Sequence, residues 1–552
     1  MNPLNIVIIG GVAGGASAGA KARRMNEYAK ITIFEKGPYI SYANCGLPYY
    51  ISGEIAEKEK LILQNPDSFK KRFNIDVCVN HEVKFIDKEK KTVNVRNLKT
   101  SEDITVPYDT LILSPGAISV VPPIPGLDAT NIFTLRTVPE AEKLLNYIEE
   151  NKPQEAIVLG GGYIGIETAE ALRHRGMKVT IVEMLPQVLT FLDPDMVAFI
   201  HRHIKESGVN LYLDNAVKEI IKDENGKVKE IILAKGNVLR ADLVIASLGV
   251  KPNSQLAKEA GLEIGATGAI KVNERMETSH PEIYAAGDAV ESYNLVTGKW
   301  TWGALAGPAN KQGRVAGANA AGGNLIFKGI LGTAIVRFNK IVAAKTGLSE
   351  NEAKNEGLDY FVVTTHSHSH VEYYPGSTML HIKIVVDKKT RKFLGAQVTG
   401  QDSVDKTIDV FSTALYFGAT VEDLINLDLA YAPPFGAAKS PANIAGMTGQ
   451  NRLLGLEDSI SFNEFFENKN KYKLLDVREL KEYKSGSIID AELKPIDEFR
   501  DTIDEIPKDK PVAVYCKGGY RGYLAQRILN QNGFEVRNLD GGFLTGEMLT
   551  KS

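Results

Sequence analysis

The chain contains two copies of one pattern: an apolar strand, a glycine-rich turn, a small-residue helix and a second strand that ends in an acid. The first copy has a strand over 5–9, the turn 10–15 and Glu35 after the next strand. The second has a strand over 156–159, the turn 160–165 and Glu183. Such a turn places a helix N-terminus against a pyrophosphate, and the acid accepts from a ribose hydroxyl. The pattern predicts two dinucleotide sites on parallel α/β sheets.

The two copies differ in how closely they match G-x-G-x-x-G. In the first, Val12 replaces the middle glycine, so a tight turn without a ligand remains an alternative; Glu35 follows Gly15 by 20 residues. In the second, all three motif glycines are present and Glu183 follows Gly165 by 18 residues. The Glu183 carboxylate would pair with a free 2′-hydroxyl and repel a 2′-phosphate, so NADH is favoured over NADPH.

Two further segments resemble motifs of the two-dinucleotide-binding flavoprotein reductases. Residues 278–288 resemble the second FAD motif of that family, whose Asp holds the flavin ribityl chain, and 108–117 resemble the connection between its FAD and nicotinamide domains. The resemblance implies a glutathione-reductase-like α/β fold with FAD and NADH as cofactors. The residues expected to bind them are Gly10, Gly11, Val12, Ala13, Gly14, Gly15, Glu35, Lys36, Ser114, Pro115, Gly116, Gly160, Gly162, Tyr163, Ile164, Gly165, Glu183, Gly249, Gly287, Asp288 and Ala304.

Cys45, ten residues past Glu35, is the candidate working thiol. Disulfide-reducing members of that family usually carry C-x-x-x-x-C, but residue 50 is Tyr here. A lone cysteine must cycle through a mixed disulfide, a persulfide or a sulfenic acid, and it is expected to need a lowered thiol pKa. Cys78, in an apolar alternation, is expected in the core.

The Ser-Tyr-x-x-Cys segment, following the first glycine turn, resembles the coenzyme A-disulfide reductase branch, including NADH-dependent CoA-persulfide (polysulfide) reductases. Oxidase and peroxidase cousins typically place a histidine in the first glycine turn, and this turn has none. The resemblance implies CoA bound near Cys45, and cationic side chains suit its phosphates. The expected CoA contacts are Ser17, Lys21, Arg24, Ser41, Asn44, Lys71, Asn310 and Lys439, with Arg23, Lys70 and Arg72 as further basic candidates.

From about residue 331, alternating strands precede a helix over 404–417 and resemble the dimerisation domain of this family. Tyr373 and Tyr431 resemble tyrosines that one subunit presents to the active site of its partner, and Tyr373 is preferred to Tyr374 from its spacing to Tyr431. A phenol there can donate a proton to a leaving thiolate. The resemblance implies a homodimer with active sites shared across subunits.

Three histidines, His366, His368 and His370, alternate along one predicted strand and would share one face. No cysteine or carboxylate is evident to complete a metal site, so no metal is expected.

The C-terminal part resembles a rhodanese domain, although Ser487 stands where such domains usually have His. A strand over 512–515 ends at the six-residue loop 516–521, which opens a helix. Backbone N–H groups would then surround Cys516 and stabilise an anionic persulfide. Arg521 closes the loop and is expected to hold an anionic donor.

Length and composition set the outer limits. The 552 residues are too many for one core, and the net charge of -3 gives no global reason to expect nucleic acid or a membrane as partner. Three cysteines, with no signal peptide or long apolar run, predict a cytoplasmic protein. The predicted domains are FAD-binding at 1–116 and 250–328, NAD-binding at 117–249, an α+β interface (dimerisation) domain at 329–446, a linker at 447–457 and a rhodanese-like α/β domain at 458–552.

These features together predict an NADH-dependent FAD reductase that acts on CoA persulfide, polysulfide and CoA disulfide through Cys45. Cys516 would relay sulfane sulfur, with the pantetheine arm of CoA travelling between the sites. One alternative is an NADH oxidase or peroxidase that cycles Cys45 through sulfenic acid. Another is a sulfur-carrier or redox-sensing module that does not turn over. The sequence leaves open the sulfur donor, the preference between persulfide and disulfide, and the direction of sulfur transfer between Cys516 and Cys45.

Overall fold

The computed structural model describes residues 3–551. Two compact units are present: residues 3–186 with 210–330, and residues 187–209 with 331–551. Each unit contains two five-stranded sheets, so the fold is mixed α/β. Among the described residues, no helix has both the length and the apolar character needed to cross a membrane.

Two parallel sheets form the frame of the first unit, and each carries one glycine turn. The first has the strand order Ile283–Ala285, Thr110–Leu113, Asn5–Ile9, Lys30–Glu35 and Asp76–Val79. The second has the order Asn210–Tyr212, Lys178–Val182, Glu155–Leu159, Leu243–Ala246 and Ile132–Phe133. Their strands are apolar runs because both faces of a parallel sheet are covered. Each glycine turn lies at the carboxyl end of a strand with a neighbour on both sides, where ligands of such sheets bind.

The remaining strands of the first unit form small antiparallel sheets: His81–Asp87, Thr92–Asn97 and Asp103–Pro107; Val217–Lys222, Val228–Leu233 and Val238–Leu239; Val250–Pro252 with Ala117–Ser119; and Ser292–Tyr293 with Trp300–Thr301. Its α-helices are Ala13–Met25, Leu47–Ser52, Pro66–Phe73, Val138–Asn151, Tyr163–His174, Gln255–Glu259 and Ala306–Ala320, and its 3₁₀ helices are Asn44–Gly46 and Lys58–Leu61. The sequence analysis assigned residues 10–15 to the glycine turn, but the first helix already begins at Ala13. Gly14 and Gly15 belong to its first turn.

Helices Ala13–Met25 and Ala306–Ala320 approach each other backbone to backbone. A Cβ built on Gly313 would lie 2.2 Å from the carbonyl oxygen of Gly14, and one built on Gly317 would lie 2.0 Å from that of Ala18. No heavier side chain fits at either position. The two glycines therefore fix the second helix against the helix that opens the first nucleotide turn.

The second unit begins with an antiparallel sheet of order Ala334–Phe338, Ile341–Gly347, Phe393–Gly400, Met379–Asp387 and Tyr360–His368. Its other sheet is parallel, of order Ser459–Ile460, Val536–Leu539, Val512–Tyr515, Lys473–Asp476 and Glu492–Leu493. The α-helices are Pro194–Glu206, Glu350–Asn355, Val404–Tyr416, Val421–Asn426, Pro441–Leu453, Phe462–Glu467, Leu480–Lys484, Phe499–Thr502, Tyr520–Gln531 and Gly542–Lys551, and the 3₁₀ helices are Lys469–Lys471, Ile496–Glu498 and Ile503–Glu505.

The segment expected to begin the linker is helical, since 447–453 belong to helix Pro441–Leu453. Its glycines serve close packing: a Cβ built on Gly446 would lie 3.0 Å from Leu424 Cβ, and one on Gly449 would lie 2.9 Å from Val421 Cγ1. The glycines in and beside the predicted linker 447–457 are therefore explained by contact with the preceding helix, Val421–Asn426.

We predict that Gly317→Ala destabilises the protein by about 1–3 kcal/mol, because the added methyl group must push two helix backbones apart. Gly307→Ala is the matched control in the same helix, since a Cβ at Gly307 meets no heavy atom within 4 Å. Thermal unfolding of the FAD-loaded protein measures both variants. Equal melting temperatures for the two variants would contradict the assigned role of Gly317.

Candidate functional site

The first glycine turn can form only because glycine occupies its close contacts. A Cβ built on Gly10 would lie 2.1 Å from the carbonyl oxygen of Ser114, and one on Gly15 would lie 1.8 Å from that of Gly10. At Gly14 the close contact is with a side chain instead, since a built Cβ would lie 2.5 Å from Ser114 Oγ. The predicted segments 10–15 and 114–116 are thus brought together, and the backbone of the turn is free to face a phosphate.

Glu35 is held at this turn by two backbone donors. Its carboxylate oxygens accept from the N–H groups of Gly11 and Gly37, each at 2.7 Å. Burial raises the pKa of Glu35, while these two bonds and the Arg136 guanidinium act in the opposite direction. Lys36 instead forms an exposed ion pair with Glu82 at 2.8 Å.

The second turn repeats this geometry. A Cβ built on Gly160 would lie 2.1 Å from the carbonyl oxygen of Ser247, whereas one on Gly162 meets no heavy atom within 4 Å. Glu183 accepts from the N–H groups of Gly161 at 2.7 Å and Leu185 at 2.9 Å. Tyr163 and Ile164 open the helix after the turn, and Gly165 packs against Gly160 with a built Cβ 2.0 Å from its carbonyl oxygen.

Asp288 lies in a loop organised by two side chains that sequence reasoning did not identify. Gln312 accepts from the Gly287 N–H at 3.0 Å, and the Trp302 indole donates to the Asp288 carbonyl at 2.8 Å. Burial raises the pKa of Asp288, and Arg136 opposes that rise. Arg136 was also missed, and its only sequence signal is its position shortly after a short strand.

Three other predicted cofactor positions are turn residues. Gly116 and Gly249 have φ of +72° and +97°, which glycine adopts without strain. Ala304 lies in the loop that precedes helix Ala306–Ala320. Together with glycine turns that exclude a Cβ and carboxylates fixed by backbone donors, these positions fit FAD at the first turn and a pyridine dinucleotide at the second.

Cys45 lies in the 3₁₀ turn Asn44–Gly46 and is exposed. Its segment is pinned on two sides: Ser41 N–H donates to the Gly11 carbonyl at 2.9 Å, and Ala43 N–H donates to the Leu61 carbonyl at 2.8 Å. Desolvation, followed by the Glu167 and Asp288 carboxylates, raises the pKa of the Cys45 thiol. The expected lowering of this pKa is therefore not produced by the described residues, since the nearby charges are acidic.

Glu167 is a further residue that the sequence did not single out. Its carboxylate accepts from the Tyr49 hydroxyl at 3.3 Å. Of the two carboxylates that raise the pKa of the Cys45 thiol, Glu167 has the larger effect. It lies in helix Tyr163–His174, directly after the second glycine turn. The charge of helix Tyr163–His174 therefore acts on the Cys45 thiol within the first unit.

A cavity of about 360 Å³ lies in the first unit beside the segment that carries Cys45. It is lined by Ala16, Ser17, Ala20, Arg24, Ser41, Gln64, Phe69, Phe73, Asn310 and Arg314. The Ser17 hydroxyl donates to Asn310 Oδ1 at 2.6 Å, so two predicted CoA contacts meet at its wall. The rings of Phe69 and Phe73 lie 5.3 Å apart.

The cavity retains four of the eight predicted CoA contacts: Ser17, Arg24, Ser41 and Asn310. Lys21, Asn44 and Lys71 do not line it, and Lys439 belongs to the second unit. Arg314 was missed because the cavity wall is formed by a helix about 300 residues from the first turn. Arg23 is also not a wall residue: it is buried, and its guanidinium donates to the Phe73 carbonyl at 2.8 Å and the Asn74 carbonyl at 2.9 Å.

Tyr373 and Tyr431 come together in the second unit, with their hydroxyl oxygens 3.4 Å apart. This hydrogen bond raises the pKa of Tyr373. Both side chains are exposed, at 75% for Tyr373 and 46% for Tyr431. The structure thus pairs the two predicted tyrosines, and Tyr374 lies beside His370 instead, with ring centroids 5.7 Å apart.

The three alternating histidines do not converge. The strand ends at His368, and the His366 ring contacts His381 with a distance of 2.8 Å between their Nδ1 atoms. His368 Nδ1 lies 3.1 Å from Ser377 Oγ, and His370 Nε2 lies 3.2 Å from the Pro375 carbonyl oxygen. The three imidazoles therefore have separate partners.

Cys516 is buried at the base of its loop, and its sulfur accepts from the Gly519 N–H at 3.1 Å. Helix Tyr520–Gln531 begins immediately afterwards. Both terminal nitrogens of Arg521 donate to the Glu482 carboxylate at 2.7 Å. Glu482 first, and also the Cys516 side chain, raise the pKa of Arg521, so the guanidinium lies within reach of the sulfur-carrying cysteine. Ser487, in the usual histidine position, is exposed.

Comparison with known proteins gives three family matches along the chain. The pyridine nucleotide-disulphide oxidoreductase family matches residues 4–313, the dimerisation domain of the same family matches 333–442, and the rhodanese-like domain matches 461–545.

Individual proteins of the same kind match over most of the chain. A CoA-dependent NAD(P)H sulfur oxidoreductase of Pyrococcus abyssi is 38% identical over 79% of this chain and 96% of its own length. The crystal structure of reduced Bacillus anthracis CoADR-RHD is 44% identical with a TM-score of 0.97, covering 100% of this chain and 99% of that one. An NAD-dependent persulfide reductase from A. fulgidus is 39% identical with a TM-score of 0.93, covering 98% and 100%.

These matches confirm the fold class and the cofactors, FAD and a pyridine nucleotide, that the sequence predicted. With both glycine turns and their acids in place, the chain belongs to the pyridine nucleotide-disulphide oxidoreductase family, as a member with a C-terminal rhodanese-like domain.

Proposed function

We propose that this chain is an NADH-dependent FAD enzyme that reduces CoA persulfide, polysulfide and CoA disulfide through Cys45, while Cys516 relays sulfane sulfur. The observation that carries the proposal is a shared segment: the stretch of chain that holds Cys45 also supplies Ser41 to the wall of a cavity with two arginines. The printed activities of the relatives, CoA-dependent sulfur oxidoreduction and persulfide reduction, support the same substrate class.

The cavity has the chemistry that a nucleotide-tailed thiol requires. Two guanidinium groups, Arg24 and Arg314, suit phosphate groups because they offer several N–H donors and a permanent charge. Phe69 and Phe73 supply aromatic surface for a purine. Ser17 and Asn310 add neutral hydrogen-bonding groups between them.

Cys45 provides the nucleophile. When bound, FAD supplies the two electrons that it receives from NADH. The Cys45 thiolate attacks one sulfur of CoA disulfide, which forms a Cys45–CoA mixed disulfide and releases CoA thiolate. Two electrons and a proton then restore the Cys45 thiolate and release the second CoA as thiol. With CoA persulfide, the same balance consumes one NADH and yields CoA thiol and HS⁻.

The second unit supplies two further parts of the proposal. Cys516 takes sulfane sulfur onto its own thiolate, the donor leaves as a thiolate, and the loop N–H groups stabilise the resulting persulfide anion. Tyr373 and Tyr431, paired and exposed, are proposed to act at the site of a second copy of the chain in a homodimer. The low cysteine count supports a reducing cytoplasm as the proposed location of the enzyme.

The main competing function is an NADH oxidase that cycles Cys45 through sulfenic acid. It would need oxygen as the electron acceptor and no CoA. The two arginines of the cavity wall would then have no role. The same holds for the loop 516–521 around Cys516, which we call the sulfur-carrying loop. Rapid steady-state NADH consumption would exclude the other alternative, a sulfur-carrier or redox-sensing module that does not turn over.

Anaerobic NADH oxidation by the FAD-loaded protein is expected to be fast with CoA persulfide or CoA disulfide and slow with oxidised glutathione. Cys45→Ser should lower that rate at least about a hundredfold, since the variant has no thiolate to attack the disulfide. Cys78→Ser, at a half-buried cysteine that packs against the core, is the control and should keep the rate. NADH consumption only in an oxygenated sample would replace the proposed function with the oxidase.

Arg314→Met is expected to raise KM for CoA disulfide roughly tenfold, because it removes charge-assisted hydrogen bonds to phosphate, and to change kcat little. Lys71→Met is the matched control, since Lys71 is exposed and does not line the cavity. Steady-state kinetics with varied CoA disulfide measures both. A larger effect at Lys71 than at Arg314 would place the CoA phosphates elsewhere.

Cys516→Ser is expected to leave CoA disulfide reduction unchanged while lowering NADH turnover from an external sulfur donor plus CoA at least about tenfold. The donor assay, run anaerobically with and without CoA, separates the two thiols. Unchanged donor-driven turnover in the variant would rule out the relay and leave Cys45 chemistry intact.

A further inference from the structure

We call the antiparallel sheet of the second unit the interface sheet. Its strand Tyr360–His368 contacts the turn that supports the sulfur-carrying loop. We call residues 540–545, between strand Val536–Leu539 and the body of the last helix, the docking turn. Thr364 N–H donates to Asp540 Oδ1 at 3.2 Å. The His366 Nε2 atom lies 2.9 Å from the Gly541 carbonyl oxygen and 3.1 Å from Thr545 Oγ1. Two successive residues on one face of the strand therefore bind this turn.

The docking turn in turn holds the backbone of the loop around Cys516. Phe543 N–H donates to the Cys516 carbonyl at 2.8 Å, and Leu544 N–H donates to the Lys517 carbonyl at 3.0 Å. On the other side, a Cβ built on Gly518 would lie 3.5 Å from His366 Cβ. The His366 side chain thus contacts the docking turn and also lies against the sulfur-carrying loop.

The proton on His366 can be assigned from its partners. A carbonyl oxygen only accepts, so the bond to Gly541 requires the hydrogen on Nε2. The neutral ring then presents a bare Nδ1, which accepts from the Nδ1–H of His381 at 2.8 Å. Burial holds the pKa of His366 down at about 4, and burial followed by the neighbouring His366 holds that of His381 well below its ordinary value. Both rings are therefore neutral near pH 7.

Asp540, the first residue of the docking turn, also belongs to a buried ion pair. Arg452 Nη2 lies 2.5 Å from Asp540 Oδ1 and 3.7 Å from Glu457 Oε1, and the guanidinium also donates to the Val362 carbonyl. Arg452 and Asp540 are each 9% exposed in their side chains. Arg452 thus holds Asp540 in place, and His366 binds the carbonyl of the next residue, Gly541. The first two residues of the docking turn are therefore both fixed by side chains.

We propose that His366, a residue of the interface sheet, is a positioning residue for persulfide chemistry at Cys516; this inference rests on the sulfur relay of the proposed function. The Gly519 N–H points at the Cys516 sulfur only while the loop keeps its conformation. Removing the Nε2 donor releases Gly541, loosens the docking turn and misaligns the N–H groups that stabilise the sulfur anion. The interface sheet therefore completes the sulfur site of the rhodanese-like fold.

The test uses the full-length, FAD-loaded protein under anaerobic conditions with glutathione persulfide as the probe. Mass spectrometry of the Cys516 peptide follows the rate at which the thiol becomes a persulfide: glutathione leaves as thiolate and one sulfur is transferred. His366→Leu removes the donor and keeps apolar volume, His366→Gln retains an amide donor at comparable reach, and His366→Asn carries the same amide one methylene shorter. His368→Leu is the control on the same strand face, where the imidazole bonds Ser377.

We expect His366→Leu to slow persulfide formation at Cys516 roughly tenfold, because the variant loses a hydrogen bond that supports a charged group. His366→Gln should restore the rate to within about twofold of the natural protein. His368→Leu should match the natural protein, and NADH-driven CoA disulfide reduction should stay unchanged in all variants. If His366→Leu does not fold, a rate for His366→Gln well above that for His366→Asn supports the proposal.

Loading at the natural rate in His366→Leu, or equal rates in the Gln and Asn variants, would overturn it. Failure of the natural protein to load Cys516 would instead contradict the sulfur relay itself.

Discussion

Backbone-to-backbone contact at the two glycine turns is the constraint on which the nucleotide-binding unit depends. Gly10 and Gly160 each place a built Cβ 2.1 Å from a carbonyl oxygen, of Ser114 and Ser247 respectively. Any side chain there would separate the turn from the next strand. The same contact positions the helix N-terminus, and the acid at the end of the adjacent strand accepts hydrogen bonds from the turn. Both electron-transfer cofactors therefore depend on contacts that only glycine permits.

Local patterns predicted the parts of the site that lie within one strand–turn–helix unit, including Glu35, Glu183 and the Cys516 loop. The parts that were missed arise from tertiary contact. Arg314 reaches the cavity only because its helix packs backbone to backbone on the first one, through Gly313 and Gly317. The predicted linker is another example, since residues 447–453 are helical. Glycine permits the close packing of helices as well as turns, and the sequence does not distinguish the two. The sequence also did not predict that the Glu482 carboxylate pairs with the Arg521 guanidinium.

Buried charges organise the second unit in the same way that glycines organise the first. The Lys383 ammonium is buried, 2.8 Å from Asp195 and 2.6 Å from Glu350, and this ties helix Pro194–Glu206 to the interface sheet. Arg452, in helix Pro441–Leu453, pairs with Asp540 of the rhodanese-like part and also donates to the Val362 carbonyl of the same sheet. Breaking a buried pair costs about 3–5 kcal/mol, so these ties hold their elements in a fixed arrangement.

In the proposed reaction, electrons from NADH reach sulfur through a covalent adduct on Cys45. Peptide-resolved mass spectrometry can detect this adduct in the anaerobic, FAD-loaded protein, prereduced at Cys45 and mixed with CoA disulfide in the absence and then the presence of NADH. We expect a CoA mixed disulfide on Cys45 that disappears when NADH is added, with Cys78 unmodified throughout. A Cys45 peptide that never carries CoA, or an adduct that persists in excess NADH, would contradict it.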